Sequence, residues 1–455
     1  LTIMSENIRL KKGLNLPVKG EAAQKITKTV ISDVVSVKPT DFRALVPKLA
    51  VKEGDRVKAG DPLFVDKQRQ EVRFCSPVSG TVAEIVRGEK RKLLEVRVKA
   101  DAETSYLQHA PVKYAQLSKE EVTAQLLERG LWPLIKQRPY GIVANPSDTP
   151  KSIFISGMVT APLAADLDFV LAGRKDDLQA GIDVLSHLTN GGVHVSLDIA
   201  SYASTEMHKL GGVIYHSFQG PHPAGNVGVQ INHISPINKG EIVWTISMID
   251  LAVIGKCFRE GIYDMSRIVA VTGPKALNPS YVKTVQGVQM SAIAEYFDKK
   301  EGAVRVVSGD VLTGKAIGEE GFLCFGDNQV SVLKEGDYYE MFGWIKPFRF
   351  KKFSTSHTYW SWLCSKKKYD MDTNLNGGPR PFVVNGVFEK VLPMDIYPVY
   401  LLKACLAGDI EKMENLGISE VIEEDLALCE YVDPSKNEIQ KILSDGIDLM
   451  LKEMA

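Results

Sequence analysis

The chain has 455 residues, 44% of them hydrophobic, and its 55 basic residues almost balance 56 acidic ones, for a net charge of −1. This length predicts about three domains with sizeable cores, and the balanced charge excludes an overall field that would attract nucleic acid or a membrane surface. No apolar run reaches the roughly 18 residues needed to span a bilayer, and the start, LTIMSENIRLKKG, lacks the apolar stretch of a signal peptide. We therefore expect a cytosolic, multi-domain protein.

Cysteine usage agrees with a reducing compartment. The six cysteines are scattered and form no C-x-x-C pair. Such spacing predicts reduced thiols and gives no support to a metal cage. The residues are Cys75, Cys257, Cys324, Cys364, Cys405 and Cys429.

A small β-barrel is predicted near the N-terminus from the segment Val51–Val82. Glycine-aspartate turns at Gly54 and Gly60 separate short alternating strands, and turns beginning at Ser76 and Ser79 bound a second set. This pattern resembles the biotinyl/lipoyl-like barrel, or barrel-sandwich hybrid. We place this domain at residues 1–103.

The barrel lacks the residue that would make it a carrier. Carrier members of the resembled family have a modified lysine at a hairpin tip shortly before the Ser-Pro pair. Counting back from Ser76, that tip holds Arg69, with Lys67 two residues away. Because a guanidinium stays protonated and accepts no acyl group, we expect a structural form of the barrel.

Helices and apolar strands alternate in the next unit, which we place at residues 104–256. Helical spacing is found in Val122–Arg129 and Asp176–Leu188, and strand patterns in Ser152–Ile155 and Val193–Leu197. This succession predicts a parallel, Rossmann-like α/β sheet. Because no G-x-G-x-x-G or Walker loop opens a helix, the sequence does not support nucleotide binding.

Six of the eight histidines fall between His187 and His233. They are His187, His194, His208, His216, His222 and His233. Their spacings place no two imidazoles on one helical turn, and no acidic residue stands at ligand spacing, so turn and surface positions are favoured over a metal site. The Gly- and Pro-rich segment Gly220–Ile234 is predicted as a loop, which could line a ligand or partner surface at a sheet edge.

A third unit is placed at residues 257–343. Strands are predicted at Arg267–Thr272, Val304–Val307 and Gln329–Leu333, with the latter half of Tyr281–Phe297 helical. This α+β pattern resembles the β-grasp SLBB domain of respiratory-chain proteins, most clearly in RVVSGDVLTG at Arg305–Gly314.

The last unit, residues 344–455, begins within a basic and aromatic segment, Phe342–Lys368. Its aromatic residues alternate with lysine and arginine, so three interpretations stay open. The segment could be a folded core with a solvated basic face, a docking surface for a membrane partner or headgroups, or a nucleic-acid surface. The last is least favoured, because the chain has no basic excess elsewhere. The aromatic residues could also offer an apolar wall to a quinone ring.

Helices are predicted for the remainder, at Tyr397–Ala407, Ile410–Leu416, Glu423–Tyr431 and Glu438–Glu453. The pieces VLPMDIYP and DLALCEYVDPSK resemble a degenerate bacterial ferredoxin motif, in which four thiolates hold each cluster. Only Cys429 falls near a ligand position, and Asp433 stands where relatives have a cysteine. We therefore predict a helical domain that resembles a ferredoxin without its cluster.

The order of these units resembles one family. The motifs that carry the resemblance are the barrel segment, KKGLNLPVKG at Lys11–Gly20, TAPLAADLDFVLAGR at Thr160–Arg174, YHSFQGPHPAGNVGVQINHISPINKGEIVW at Tyr215–Trp244, SGDVLTG and the two C-terminal pieces. The chain is similar to the A subunits of bacterial Na+-translocating NADH:quinone oxidoreductases. It is also similar to the RNF complex C subunit and, more distantly, to the flavin-bearing subunit of complex I.

This resemblance implies a peripheral subunit on the cytoplasmic face of the bacterial inner membrane. The six-subunit complex would oxidise NADH, reduce quinone and pump Na+, with integral membrane subunits as partners. The resemblance further implies quinone as a ligand, and places NADH, flavins and iron–sulfur clusters in partner subunits rather than in this chain.

The residues themselves define no acid/base pair, nucleophile or metal set, so we assign no catalytic, cofactor-binding or metal residue. The sequence also identifies no quinone-contacting residue. Two functions stay open: quinone binding in an apolar pocket with one or two polar groups for the carbonyl oxygens, or structural docking within a membrane redox complex. A stand-alone carrier or transferase comes third, because Arg69 argues against it.

Overall fold

The structure, a computed structural model, describes residues 3–201, 205–300, 302–343, 346, 348–364 and 366–453. Successive β-rich, α/β, β-rich and helical units follow one another along the chain. No helix in the described ranges is both long and apolar enough to cross a membrane.

Two small antiparallel sheets form the N-terminal barrel. Their orders are β3-β9-β8-β5 and β4-β6-β7. The predicted Gly-Asp turns are present, because Asp55 and Asp61 each accept the backbone N–H three residues earlier, at 2.8 and 2.7 Å. The strands are β3 (Val34–Val37), β4 (Pro47–Leu49), β5 (Arg56–Val57), β6 (Pro62–Asp66), β7 (Arg73–Cys75), β8 (Gly80–Arg87) and β9 (Leu93–Ala100).

Two strands from the first 30 residues leave the barrel, which corrects the assignment of residues 1–103 to that domain alone. Strand β1 (Ile3–Arg9) pairs in parallel with a strand of the α/β sheet, and β2 (Ala23–Thr29) pairs in parallel with a strand of the third unit. Alternation indicates that a segment is a strand but does not identify its partner. The N-terminus therefore connects all three β-containing units.

The α/β unit contains a mostly parallel sheet of order β1-β14-β13-β12-β15-β10-β11, as predicted, with β10 and β11 antiparallel at one edge. Its strands are β10 (Lys136–Arg138), β11 (Ile142–Val143), β12 (Ile153–Ser156), β13 (Val193–Asp198), β14 (Val213–Gln219) and β15 (Val243–Thr245). Its helices are α1 (Lys119–Glu128), α2 (Leu167–Val170), α3 (Lys175–Ser186), α4 (Val227–Ile234) and α5 (Met248–Glu260).

A helix crosses the predicted domain boundary of this unit, and one predicted loop is wrong. The predicted boundary between residues 256 and 257 falls inside α5. Because most residues of this helix are buried, its sequence shows no periodic alternation of apolar and polar faces. The predicted loop Gly220–Ile234 ends in a helix, α4, in which the apolar Val229 and Ile231 pack inwards after the Gly- and Pro-rich first half.

The third unit contains a sheet of order β19-β18-β20-β16-β17-β2. The helix predicted within Tyr281–Phe297 is a 3-10 helix, Met290–Tyr296. The strands are β16 (Ser266–Thr272), β17 (Ser280–Val285), β18 (Val304–Ser308), β19 (Lys315–Ala316) and β20 (Gln329–Lys334).

The C-terminal unit is helical, as predicted, and has its own hydrophobic core. The segment Phe342–Lys368 that precedes it is irregular apart from a 3-10 turn, Trp360–Leu363, and its residues 344, 345, 347 and 365 lie outside the described residues. The helices are α6 (Phe388–Val391), α7 (Pro398–Ala407), α8 (Ile410–Asn415), α9 (Glu423–Val432) and α10 (Ile439–Glu453).

Candidate functional site

The hairpin tip of the barrel carries a structural arginine. Arg69 Nε donates to Asp66 Oδ2 at 2.9 Å, and Nη1 donates to the carbonyl oxygens of Val143 and Ala144 at 3.3 and 3.2 Å. These carbonyls belong to the α/β unit, at and after β11. The side chain at the carrier-lysine position therefore connects the barrel to the next domain.

The predicted ferredoxin-like positions also have structural contacts. Cys429 is buried in α9, and burial raises the pKa of its thiol. Asp433 Oδ1 accepts the backbone N–H of Ser435 at 3.0 Å, while Oδ2 accepts the backbone and side-chain N–H groups of Asn437 at 2.9 and 2.8 Å. In the described part of the chain, no group of three or more His, Cys, Asp or Glu residues could hold a metal ion.

Two of the six histidines, His216 and His222, are buried instead of lying at the surface. His194 and His216 stack on neighbouring strands with ring centroids 5.1 Å apart, and their Nδ1 and Nε2 atoms lie 2.8 Å from each other. Desolvation lowers the pKa of both imidazoles, that of His216 to about 4. A neutral, hydrogen-bonded pair fits these contacts, because the strands bury His216 instead of leaving it at the surface.

The segment Gly220–Ile234 holds an N-terminal arm in place. His222 is buried, and its backbone N–H and carbonyl bond to Asn15 Oδ1 and to the Leu14 N–H, both at 2.8 Å. Residues Gly13–Pro17 form this arm, which crosses from the α/β sheet towards the C-terminal unit, where the Gly13 N–H donates to the Lys390 carbonyl at 3.2 Å.

A cavity of about 620 Å³ lies where this arm meets the basic and aromatic segment and the C-terminal helices. We call it the aromatic cavity. Its apolar wall consists of Leu14, Pro17, Phe353, Trp362, Tyr369 and Val391. Polar side chains also line it, among them Ser354, Ser356, His357, Ser361, Lys367 and Lys390.

The wall is held together across a large sequence distance. The Tyr369 N–H donates to the Pro17 carbonyl at 2.7 Å, and the Tyr369 carbonyl accepts the Lys19 N–H at 3.0 Å. The ring of Tyr369 packs 5.8 Å from that of Phe353. Pairing of the arm with Tyr369 therefore turns an irregular segment into one side of a cavity.

Two polar groups in this wall could bind a carbonyl-bearing ligand. The Ser361 Oγ is buried and has no hydrogen-bond partner among the described residues, while the Ser361 carbonyl accepts the Tyr369 hydroxyl at 3.1 Å. The imidazole of His357 stacks on Trp362 with centroids 5.5 Å apart. The cavity thus combines aromatic surface with a hydroxyl donor and an imidazole.

Sequence reasoning found only part of this site. The segment Phe342–Lys368 was considered as an apolar wall, and Phe353 and Trp362 do line the cavity. Leu14, Tyr369 and Val391 were missed, because their approach depends on pairing between segments that are far apart in sequence. The motif at Lys11–Gly20 was the one available signal in the sequence. No local pattern indicated that it contacts the C-terminal unit.

The three β-containing units match a known set of domains. Residues 8–101 match the family model described as "NqrA N-terminal barrel-sandwich hybrid domain", and residues 117–263 match "NqrA second alpha/beta domain". Residues 268–318 match "NQRA C-terminal domain". The fold therefore defines a multi-domain protein of the NqrA type, with a barrel-sandwich hybrid, an α/β domain and an SLBB domain.

Curated relatives extend the match to nearly the whole chain, and all three below are named as the A-subunit of Na(+)-translocating NADH-quinone reductase. The Yersinia pestis bv. Antiqua (strain Angola) protein is 38% identical over 441 residues, covering 96% of this chain and 98% of the relative. The Pasteurella multocida (strain Pm70) protein is 39% identical over 449 residues, covering 98% and 100%. The Neisseria meningitidis serogroup A (strain Z2491) protein is 37% identical over 451 residues, with the same coverage.

The chain belongs to the family of A-subunits of Na(+)-translocating NADH-quinone reductase, and is thus part of an oxidoreductase complex. This confirms the resemblance drawn from its motifs. Among solved structures, a chain of an NAD+-reducing [NiFe]-hydrogenase aligns with a TM-score of 0.36 and 11% identity, over 77% of this chain and 67% of that one. That similarity is too low to support any argument.

Proposed function

We propose that this chain supplies a quinone-binding pocket, the aromatic cavity, to its complex. In this proposal it is a peripheral subunit on the cytoplasmic face of the bacterial inner membrane, within a six-subunit assembly. NADH, flavins and iron–sulfur clusters belong to partner subunits, so this chain binds and orients quinone while electrons arrive from a neighbour.

The observation that carries the proposal is the combination of aromatic wall and unpartnered hydroxyl. A quinone is a flat apolar ring with two carbonyl oxygens, and small-molecule sites are mostly apolar cavities of about 300–1,000 Å³ with a few placed polar groups. The aromatic cavity, of about 620 Å³, offers the rings of Phe353 and Trp362. Ser361 Oγ can donate to one carbonyl oxygen.

Titration of the purified full-length chain with a short-chain quinone tests this proposal. Trp362→Ala removes one aromatic wall, and we expect the dissociation constant to rise roughly tenfold, equivalent to about 1.4 kcal/mol. The matched control is Trp360→Ala, since Trp360 is also half-exposed in the same segment but lies outside the cavity, packed on Phe348 at 4.5 Å. Equal affinity of the two variants would place the quinone elsewhere.

A second candidate function is docking on integral membrane subunits. Most of the large exposed apolar side chains lie in one part of the chain, between Tyr338 and Leu406. They include Tyr339, Met341, Phe342, Phe348, Trp360, Trp362, Leu363, Tyr397, Tyr400 and Leu406. Large exposed apolar surfaces mark interaction sites, and neighbouring lysines suit the headgroup region beside an embedded partner.

Variants of Trp360 and Phe348, which lie outside the cavity, separate the two functions. If the segment docks, Trp360→Ala and Phe348→Ala should weaken recovery of the integral subunits with the tagged chain from membranes in mild detergent, while leaving quinone affinity unchanged. Normal recovery of the integral subunits with both variants would argue against this surface as the dock. We also propose that the C-terminal helices resemble a ferredoxin without its cluster and that the α/β sheet is Rossmann-like.

A further inference from the structure

A strongly basic turn connects the two longest strands of the barrel. Strands β8 and β9 form one antiparallel ladder, and residues 87–92 (RGEKRK) close it. We call residues 87–92 the basic hairpin. Four of these six residues are lysine or arginine, all four of them are exposed, and Glu89 is the only acidic one. The quinone proposal uses none of these residues.

The four cations of the basic hairpin form no ion pair with any acidic residue in the described part of the chain. Their side-chain hydrogen bonding stays within the hairpin, where Arg87 Nη1 donates to the Arg91 carbonyl at 3.1 Å. Elsewhere in the same barrel, Arg56 pairs with Asp101 at 2.8 Å. The basic hairpin therefore concentrates positive charge at one place on a chain whose total charge is −1.

The backbone of this turn disfavours the residues that it carries. The Lys92 N–H donates to the Glu89 carbonyl at 3.1 Å, and Lys90 (φ 52°, ψ 28°) and Arg91 (φ 60°) both have left-handed backbone. These features define a type I′ turn, in which Asn-Gly is strongly preferred because longer side chains disfavour a positive φ. Backbone strain of this kind points to a use for the side chains. What the two side chains share is a positive charge.

The composition of the basic hairpin favours one kind of anionic partner. Binding of nucleic-acid bases would need aromatic side chains for stacking, and residues 87–92 contain none. A layer of many negative charges suits long cations that extend from one turn. The surface of a bilayer with anionic lipids is such a layer, and it attracts clusters of lysine and arginine.

We propose that the basic hairpin binds the anionic phospholipid surface of the membrane beside the complex. The inference rests on the peripheral membrane location in the proposed function, but not on the quinone pocket. Because the rest of the chain carries balanced charge, the attraction is concentrated in the hairpin and turns this end of the barrel towards the headgroups. The contact is electrostatic and exposed, so it weakens as the salt concentration rises.

Sedimentation of the purified full-length chain with lipid vesicles tests this proposal. The chain should bind vesicles of phosphatidylcholine mixed with phosphatidylglycerol, but not vesicles of phosphatidylcholine alone, and high salt should release it. The double variant Lys90→Asn/Arg91→Gly, called the turn variant, removes two charges and installs the preferred turn residues. Its affinity for the mixed vesicles should fall at least about tenfold.

Two controls separate local charge from folding and from total charge. Because Asn-Gly suits a type I′ turn, the urea midpoint of the turn variant should equal or exceed that of the unaltered chain, so lost binding cannot come from unfolding. The matched control Lys239→Asn/Lys412→Asn removes two exposed positive charges outside the barrel and should keep its vesicle affinity. An equal loss of vesicle affinity in both double variants would overturn the proposal.

Other outcomes would also overturn the proposal. They are an unaltered chain that does not bind the mixed vesicles, and a turn variant that binds them as well as the unaltered chain does. If the unaltered chain does not bind vesicles but the turn variant recovers fewer integral subunits from membranes, the hairpin contacts an acidic protein surface and the lipid assignment is wrong. Quinone titration of the same samples tests the proposed function separately, since the turn variant should keep the quinone affinity of the unaltered chain.

Discussion

The barrel tip and the C-terminal helices can be compared, because each has a residue where the resembled families have a functional group. The sequence interpretation places Arg69 at the position of a carrier lysine and Asp433 at that of a cluster-ligating cysteine. Arg69 bonds to neutral carbonyl groups of another domain and to Asp66. Asp433 bonds to three N–H groups within its own turn.

Burial makes the two positions unequal. The Arg69 side chain is 26% exposed, whereas Asp433 is 1% exposed. If Arg69 is removed, its buried partners Asp66 and Ala144 keep other donors, the Gln68 N–H and Trp132 Nε1. The three N–H groups at Asp433 would instead lose their acceptor, and an unsatisfied buried group is costly. Both residues make structural contacts, and we expect the C-terminal helices to depend on theirs more strongly than the barrel does.

The largest expected effect concerns the ion pair that holds the C-terminal helices to the α/β unit. Arg138 is almost fully buried and donates to Asp425 Oδ2 at 2.7 Å and Glu424 Oε1 at 2.6 Å. Arg138→Ala leaves Asp425 buried without its partner, so the free energy of unfolding should fall by about 3–5 kcal/mol in urea titration. The control Arg259→Ala, at a more exposed pair, should cost less than about 1 kcal/mol. Similar losses of unfolding free energy in the two variants would show that burial of an ion pair does not determine its contribution to stability.

A smaller effect is expected at Asp433. Asp433→Ala removes an acceptor from three N–H groups, and the free energy of unfolding should fall by about 2–3 kcal/mol. Asp433→Cys should be destabilised to a similar degree. It should also show no iron and no visible absorbance after reconstitution, because only Cys429 is nearby and four thiolates hold such a cluster. An absorbing cluster in this variant would contradict the structural role assigned to the turn.

The barrel tip should tolerate change best. Arg69→Ala removes two bonds to neutral carbonyls and one ion pair with the buried Asp66, which keeps the Gln68 N–H as a donor, so the free energy of unfolding should fall by roughly 1–2 kcal/mol. Arg69→Lys should keep its unmodified mass when co-expressed with a lipoyl or biotinyl ligase, because the tip packs against Val143 and Ala144. Mass spectrometry measures this directly. A modified lysine would show that the ligase recognises the hairpin tip as a carrier site.

The smallest effect is kinetic and involves no loss of stability. Cys429 is buried and its thiol pKa is raised, whereas Cys364 is exposed. Since the thiolate is the reactive form, iodoacetamide should label Cys364 rapidly in the native chain and Cys429 only after unfolding. Cys364→Ser should abolish the rapid phase. Rapid native labelling of Cys429 would mean that α9 opens more readily than its buried core suggests.

The helices and strands with clear periodicity were predicted well from the sequence. Helix α3 at Lys175–Ser186 and strand β20 at Gln329–Lys334 differ from the predicted ranges by a residue or two at their ends. Helix α5 was missed, because a helix buried on nearly all sides shows no polar face. Helix α4 was hidden behind the glycines and prolines that precede it.

The candidate site was much harder to predict. The aromatic cavity needs Leu14 beside Phe353 and Val391. This approach depends on the pairing of the N-terminal arm with Tyr369. Periodicity describes how a segment is buried but contains no information on which distant segment buries it.

By itself the sequence determined the family and the order of its three β-containing domains, and it predicted the absence of a carrier lysine and of a cluster. Each of these depends on residue types at local spacing: turn glycines, an arginine in place of a lysine, and an aspartate in place of a cysteine. Only the tertiary structure decided what Arg69 and Asp433 contact and where the aromatic cavity forms. Cavities and buried polar contacts arise where separate units pack together, and the free energy of that packing depends on all the surfaces at once.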